Sequence, residues 1–433
     1  MSKKVLILGL SKSGISAAKF LASKNYDVYL TESKKEVNLE QVKELESLGI
    51  KVEYGSHSDE FINDSSFAVT SPGIPPKSEI FKRLQAKNIK IISEIEVAYL
   101  NTDIPFIVIT GTNGKTTTTS LVSHILSKKY SAPVCGNIGV PPTSLISEKH
   151  DFLVCETSSF QAEMTEKFKA KIACWTNFTP DHIDWHNGLE NYFKAKAKLF
   201  QNNQAPDFAI LNAQDKKLKE FSKECKNVIF FDDEKDCYIK NDSIYYKNEE
   251  IIKLEECPMI GHHNYQNIMC GIIIAKLVGM NNEDIKERIM SFVVPEHRLE
   301  KVRVMDGITF YNDSKATNPE ASIVAIDSFN NQDVTLILGG RDKNTDLTEM
   351  CNSINKHIKT VLLIGEATER FDENLKKNGF SNIIKERTME SAIDKAISLN
   401  PDVVLLSPAC ASYDMFNSYE HRGEVFKEYV LSK

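Results

Sequence analysis

The sequence predicts an α/β protein of three domains, each a mainly parallel sheet covered by helices: a Rossmann-like N-terminal domain, a central P-loop domain and a Rossmann-like C-terminal domain. Three observations predict it. Apolar runs of strand length alternate with helical stretches along the chain, the pattern that builds parallel sheets. The 433 residues exceed a single core, since roughly 150 residues per domain is usual. A glycine-rich loop, "GTNGKT" at 111–116, follows an apolar run in mid-chain.

The first domain is expected over 1–101. "VLILGL" reads as a strand and "GISAAKFLASK" as a helix, and "DVYLTES", "FAVTSPG" and "IKIISEI" read as further strands. "GLSKSG" at 9–14 has the outline of a dinucleotide loop. Ser11 stands where the middle glycine of GxGxxG belongs, and its Cβ hinders the approach of a pyrophosphate. Glu32 ends the second strand, where a ribose-binding acid would sit. The missing glycine disfavours a nicotinamide role. "NTDIP" reads as a linker, because Pro105 stops helix and strand alike.

The second domain is expected over 102–295. It opens with the strand "FIVIT" and continues with "FLVCETS", "KIACWTNF", "FAILN" and "NVIFF". "YIKNDSIYYKNEEIIKLEE" reads as a small antiparallel insert turning near Asn241-Asp242, and a helix follows from about Asn264 to Val278. Pro295 and a charge cluster mark the next boundary. The third domain, 296–433, begins with a hairpin turning at Asp306-Gly307. "VTLILGG", "TVLLIG" and "DVVLLSPA" are its further strands. Three blocks on two short links suggest closure over bound ligands.

Composition narrows the function. Apolar content of 41% and charged content of 26% are ordinary for a globular chain. A formal net charge of -7 speaks against nucleic acid. The nine cysteines contain no CxxC pair, so buried reduced thiols are expected. The N-terminal apolar run is too short for a signal peptide, and no stretch approaches the ~20 residues of a membrane span. A cytoplasmic monomer without membrane insertion is expected.

Gly111, Thr112, Asn113, Gly114, Lys115, Thr116 and Thr117 form the phosphate cradle. Glycines let successive backbone N–H groups point at anionic oxygens, and the following helix adds its positive end. Lys115 can reach the terminal phosphates, and the Thr116 hydroxyl suits Mg²⁺. Ile109 replaces the first glycine of the usual spacing, so the loop is a shortened variant; ATP is the expected nucleotide. A kinase, a GTPase switch and a ligase could each use it. Asn137 lies in the turn "CGNIG". Glu156 ends the strand of "VCETSSFQ", and His182 follows Asp181 in "TNFTPDHIDWH". Ligands gather at the carboxyl ends of strands in open α/β sheets. A carboxylate and an imidazole there can converge on a metal, and a second metal helps two anions meet. Lys194, Lys196 and Lys198 alternate along "NYFKAKAKLF"; a solvated basic face is the bland account of them.

Together "GTNGKTTT", "GNIG", "ETSSFQ", "DHIDWH" and "YFKAKAKLF", with "GHHNYQN", "PEHRLE", "NDSKATN" and "SPACASYDMF", resemble the Mur ligases over nearly the whole chain. The resemblance implies an amide ligase that joins D-glutamate to UDP-N-acetylmuramoyl-L-alanine. ATP phosphorylates the acceptor carboxylate, the amine attacks the acyl phosphate, and ADP and phosphate leave. It implies two Mg²⁺ sites, with Glu156, His182 and a carbamylated Lys196 as ligands beside Thr116. Asn264 and Asn267, at i and i+3, match adenine-side residues. Arg298, Asp313 and Lys315 match further nucleotide contacts. Asn137 matches a contact near the acceptor's reacting end, and Leu10, Ser11, Thr31, Glu32 and Gly73 match positions for its UDP-sugar end. Thr317, Lys343, Ser412 and Tyr419 match positions for the glutamate, although Tyr419 carries a hydroxyl where the family has phenylalanine. A sister ligase using another amino acid, a folylpolyglutamate-synthase-like ligase and a nucleotide-gated binding protein are the alternatives.

Overall fold

Runs of Val, Ile and Leu that are apolar on both sides must be covered on both faces, and the chain meets that demand in three sheets. The computed structural model describes residues 3–433 other than 182, 295, 330, 331 and 343, and of residue 184 the backbone alone. The first sheet contains β1 (Lys4–Leu8), β2 (Asp27–Glu32), β3 (Lys51–Tyr54), β4 (Ala68–Thr70) and β5 (Ile91–Ser93), all parallel, in the order β3-β2-β1-β4-β5. The second contains β6 (Phe106–Thr110), β7 (Val134–Gly136), β8 (Leu153–Glu156), β9 (Ile172–Trp175), β10 (Phe208–Asn212), β11 (Val228–Phe231), β12 (Cys237–Lys240), β13 (Ser243–Tyr246) and β14 (Glu249–Lys253). Its order is β14-β13-β12-β11-β10-β9-β6-β8-β7, parallel apart from the antiparallel β12–β14 insert. The third contains β15 (Glu300–Met305), β16 (Ile308–Asn312), β17 (Val334–Gly339), β18 (Thr360–Ile364), β19 (Ile383–Lys385) and β20 (Val403–Leu406). Its order is β15-β16-β20-β17-β18-β19, with β15–β16 the antiparallel pair.

The chain divides into two compact units: Met1–Cys257 with Gln266–Phe292, and Pro258–Tyr265 with Val293–Lys433. The first unit holds two sheets and the second holds one. Within the first unit, the helix Glu94–Tyr99 ties the sheets together. Glu96, buried, accepts the backbone N–H groups of Glu166, Lys167 and Phe168 at 2.9, 2.8 and 3.0 Å.

Both expected two-residue turns are present. Asn241 and Asp242 take φ of 47° and 55°, and Asp306 and Gly307 take 50° and 86°, the double positive φ that suits the twist of a hairpin. The strand expected through "IKIISEI" ends sooner than its apolar pattern suggests. Ser93 caps a helix by accepting from Glu96 N, so Glu94 opens that helix instead of ending a strand. β3, β7 and β19 are short edge strands that the apolar runs did not reveal. Among the described residues, no helix is long and apolar enough to cross a membrane.

Candidate active site

The loop after β6 lies inside the second sheet, between strands that diverge in order, with β8 and β7 on one side and β9 on the other. That switch point is where an open α/β sheet leaves a crevice. Gly111 has φ of 152°, and a Cβ there would stand 1.9 Å from Thr176 Oγ1. Gly114 caps the helix Lys115–Leu126 in the left-handed region at φ of 80°, and its Cβ would stand 2.8 Å from Asn267 Oδ1. Glycine is required at both positions. Lys115 Nζ donates to the carbonyls of Gly111 and Thr112 at 2.9 and 2.7 Å, which holds a cation against the loop. The hydroxyl of Thr112 donates to the Thr179 carbonyl at 3.0 Å, Thr116 is half-buried and Thr117 is buried in the first turn.

Residues beyond β9 brace the cradle. Asn113 N donates to Asn177 Oδ1 at 2.8 Å, and Asn177 Nδ2 returns a bond to Asn113 O at 3.1 Å. Thr176 Oγ1 donates to the same carbonyl at 2.6 Å. The sequence reading did not select these two residues, because only the β6–β9 pairing brings them to the loop.

Three expected residues meet beside it. Glu156, at the end of β8, is 1% exposed; Oε1 accepts from Asn137 Nδ2 at 2.7 Å, and Oε2 has no hydrogen-bond partner among the described residues. Asn137 N also donates to Glu156 O at 2.8 Å. Of the three alternating lysines, Lys194 is exposed and Lys198 donates to Glu163 O, while Lys196 is 1% exposed. Lys196 Nζ donates to Gly111 O at 2.8 Å, 4.9 Å from the Tyr192 ring centroid. Burial and then the charge of Lys115 hold its amine well below the usual lysine value, against the pull of Asp181 and Glu156. Tyr192 was within reach of sequence reasoning, since i and i+4 share a helix face. His182 lies outside the described residues. Among the described residues, no three His, Cys, Asp or Glu side chains form a metal-binding group.

In the first sheet, Ser11 caps the helix Lys12–Ser23 and its Oγ lies 2.7 Å from Ser71 Oγ. Glu32 accepts the N–H groups of Leu10 and Lys34, both at 3.0 Å. Burial raises its pKa, but those bonds win and leave it below the ordinary value. Thr31 is fully buried, its hydroxyl 2.7 Å from His57 Nδ1 and 3.1 Å from Ser56 O. Gly73 is exposed, and a Cβ there would touch nothing within 4 Å among the described residues.

In the second unit, Asp313 follows β16 and is buried. It accepts from Ser407 Oγ at 2.7 Å and from Leu299 N at 3.1 Å. Burial pushes its carboxyl up to about 7, although those bonds and the charge of the half-buried Arg298 oppose it. Lys315 Nζ lies 5.2 Å from the Tyr419 ring centroid, and burial pushes the Tyr419 hydroxyl up to about 12. Tyr419 therefore stands beside Lys315. Ser412 is buried after β20 and Thr317 is half-buried after β16. Asn264 Nδ2 donates to Ile260 O at 2.7 Å, while Asn267 Oδ1 accepts from Thr118 Oγ1 at 3.0 Å in the first unit. Lys343 lies outside the described residues.

This arrangement has known counterparts. The chain matches the Mur ligase MurD-like N-terminal domain over 3–93, the Mur ligase middle domain over 109–275 and the Mur ligase glutamate ligase domain over 297–410. A UDP-N-acetylmuramoylalanine–D-glutamate ligase of Thermoanaerobacter pseudethanolicus is 38% identical, covering 99% of this chain and 98% of its own. The chain belongs to the Mur ligase family. The like-named enzyme of Clostridioides difficile is also 38% identical over 99% of this Mur ligase and 98% of its own length. Among solved structures, MurF of Acinetobacter baumannii superposes with a TM-score of 0.64 at 15% identity, over 99% of this chain and 93% of that one. The UDP-N-acetylmuramate–alanine ligase of Thermotoga maritima gives 0.61 at 19%, over 99% and 100%. At such identities these structures establish the fold of this Mur ligase and nothing finer.

Proposed function

We infer that this Mur ligase is an ATP-dependent enzyme joining D-glutamate to UDP-N-acetylmuramoyl-L-alanine in peptidoglycan precursor synthesis. The observation that carries the reading is a buried amine, Lys196, against the wall of a phosphate loop, in a chain whose full-length relatives bear that activity in their names. We read the domains as 1–101 for the UDP-linked substrate, 102–295 for ATP and 296–433 for the amino acid, in a cytoplasmic monomer.

A carboxylate is a poor electrophile, so its oxygen first attacks the γ-phosphorus and displaces ADP. The D-glutamate amine then attacks the acyl carbon, loses a proton, and phosphate leaves as the amide forms. Both steps bring anions together, and preorganised cations offset the repulsion. The cradle that a Cβ would fill at Gly111 and Gly114 fits a triphosphate, and Lys115 sits where it can follow the transferring group. Glu156 Oε2, without a hydrogen-bond partner among the described residues, fits a cation. With Thr116, His182 and Lys196 it would hold Mg²⁺, which supplies charge neutralisation between carboxylate and phosphate.

The lowered pKa of Lys196 supports carbamylation. A neutral amine can attack carbon dioxide, forming an N–C bond and releasing one proton, which turns the neutral side chain into an anionic oxygen ligand. Asn264, Asn267, Arg298, Asp313 and Lys315 are assigned to the nucleotide. Asn137 and the loops at Leu10–Ser11, Thr31–Glu32 and Gly73 are assigned to the acceptor. Thr317, Lys343, Ser412 and Tyr419 are assigned to D-glutamate.

The test is ADP formation with UDP-N-acetylmuramoyl-L-alanine across a panel of amino acids. Turnover with D-glutamate alone is expected; equal turnover with L-glutamate or L-alanine would sink the assignment. Hydroxylamine should trap the activated carboxyl as a hydroxamate, whereas release of AMP and pyrophosphate would exclude an acyl phosphate.

A further inference from the structure

The loop after β7 is held from outside its own sheet. It leaves Asn137 on Glu156 and runs on to the short 3-10 turn Pro142–Ser144. There Thr143 N donates to Glu94 Oε1 at 2.6 Å. Glu94 opens the helix after β5, is 3% exposed, and its Oε2 has no hydrogen-bond partner among the described residues. Thr143 Oγ1 in turn lies 2.7 Å from Ser16 Oγ, on the helix that Ser11 caps. Ser16, Thr143 and Glu94 thus link two loops of the first unit, one carrying Ser11 and the other Asn137.

A carboxyl with one oxygen unpaired is a costly way to fill an apolar interior. Burial pushes Glu94 up to about 7, against its bonds from Thr143. The Cys135 thiol of β7 is pushed up by its hydrogen bond with Cys155, by burial and by the charge of Glu94. Nothing in the chemistry assigned above uses Glu94, so its hold on Thr143 is the effect left to explain.

We propose that Glu94 is a positioning residue for the UDP-linked acceptor: by holding Thr143 it fixes the spacing between the Ser11 loop and the Asn137 loop. The proposal rests on the ligase reading, which assigns the acceptor's nucleotide end to the first loop and its reacting end to the second. Glu94 is buried and acts through Thr143. Its removal lets the two loops drift apart, which weakens the acceptor and leaves ATP and D-glutamate unaffected.

Steady-state kinetics of the full chain separate the outcomes. Glu94→Ala should raise the acceptor KM about tenfold, the effect of losing one buried hydrogen bond, with the KM for ATP and for D-glutamate within about twofold. Glu94→Gln, which can still accept from Thr143 N, should restore most of the affinity. An unchanged acceptor KM in a folded Glu94→Ala, or an equal rise for ATP, would overturn the positioning role. Should Glu94→Ala fail to fold, Ser16→Ala removes one half-buried hydroxyl of the same chain. It should raise the acceptor KM about threefold, and no change there would overturn the proposal too. Failure of the ligase reading shows differently: wild-type protein would form no ADP with this acceptor, and both conclusions would fall together.

Discussion

Two loops in this chain share a plan and differ in chemistry. Each follows a buried parallel strand, and each feeds a helix of 12 residues, Lys12–Ser23 in the first sheet and Lys115–Leu126 in the second. The first is capped by a serine with a Cβ, and its neighbour Glu32 takes the Leu10 N–H that an anion would otherwise seek. The second is capped by Gly114 in the left-handed region, with Lys115 folded onto it and Lys196 buried behind it. Topology alone supplies a crevice and a helix start. The cap residue, and whether a neighbouring carboxylate already takes the loop's N–H groups, decide whether phosphate is welcome.

The largest expected effect tests the cationic loop. Lys115→Ala should lower kcat by at least about a hundredfold, because a charge at the transferring phosphoryl group is lost; a loss below about tenfold would contradict the role. Lys196→Ala should cost somewhat less, and added acetate should restore part of the rate by standing in for a carbamate oxygen. Normal metal binding with no rescue would argue against carbamylation. Ser11→Gly gives the first loop the glycine it lacks. It should lower Tm by about a degree, as the cap is weakened, and should not create NAD⁺ affinity while Glu32 blocks Leu10 N. Tight NAD⁺ binding by that variant would erase the contrast between the loops.

The smallest effect concerns pH. The folded pKa of Glu94 is about 7, against an ordinary 4.5. The folded state therefore holds that proton more tightly than the unfolded chain. Its contribution to stability is full below the ordinary value and is lost as pH rises through about 7. Glu94→Gln removes this dependence, so its fall in Tm between about pH 5 and about pH 8 should be smaller than that of the wild type. Equal falls in the two proteins would show that Glu94 does not titrate in this window.

The central strands were readable because both of their faces are buried and so read as unbroken apolar runs; "FIVIT" corresponds residue for residue to β6. Edge strands such as β3, with exposed Lys51 and Tyr54, lack that signature. Glu94 was read as the end of a strand because the apolar run continues past Ser93, and the hydroxyl cap that stops it is a local competitor the pattern ignores. The phosphate loop was visible because its glycines are demanded by close backbone approach. Its braces, Thr176 and Asn177, were not, since they reach it through strand pairing rather than sequence proximity.

One side chain of the helix that follows the first sheet's β5, Glu96, gathers three consecutive amides of the segment beyond the second sheet's helix Ser159–Glu163. Protons on those nitrogens can swap with heavy water only when the carboxylate lets go. The amides of Glu166, Lys167 and Phe168 should therefore be among the slowest to take up deuterium despite lying in a connecting segment, a built-in gauge of whether these two sheets ever part.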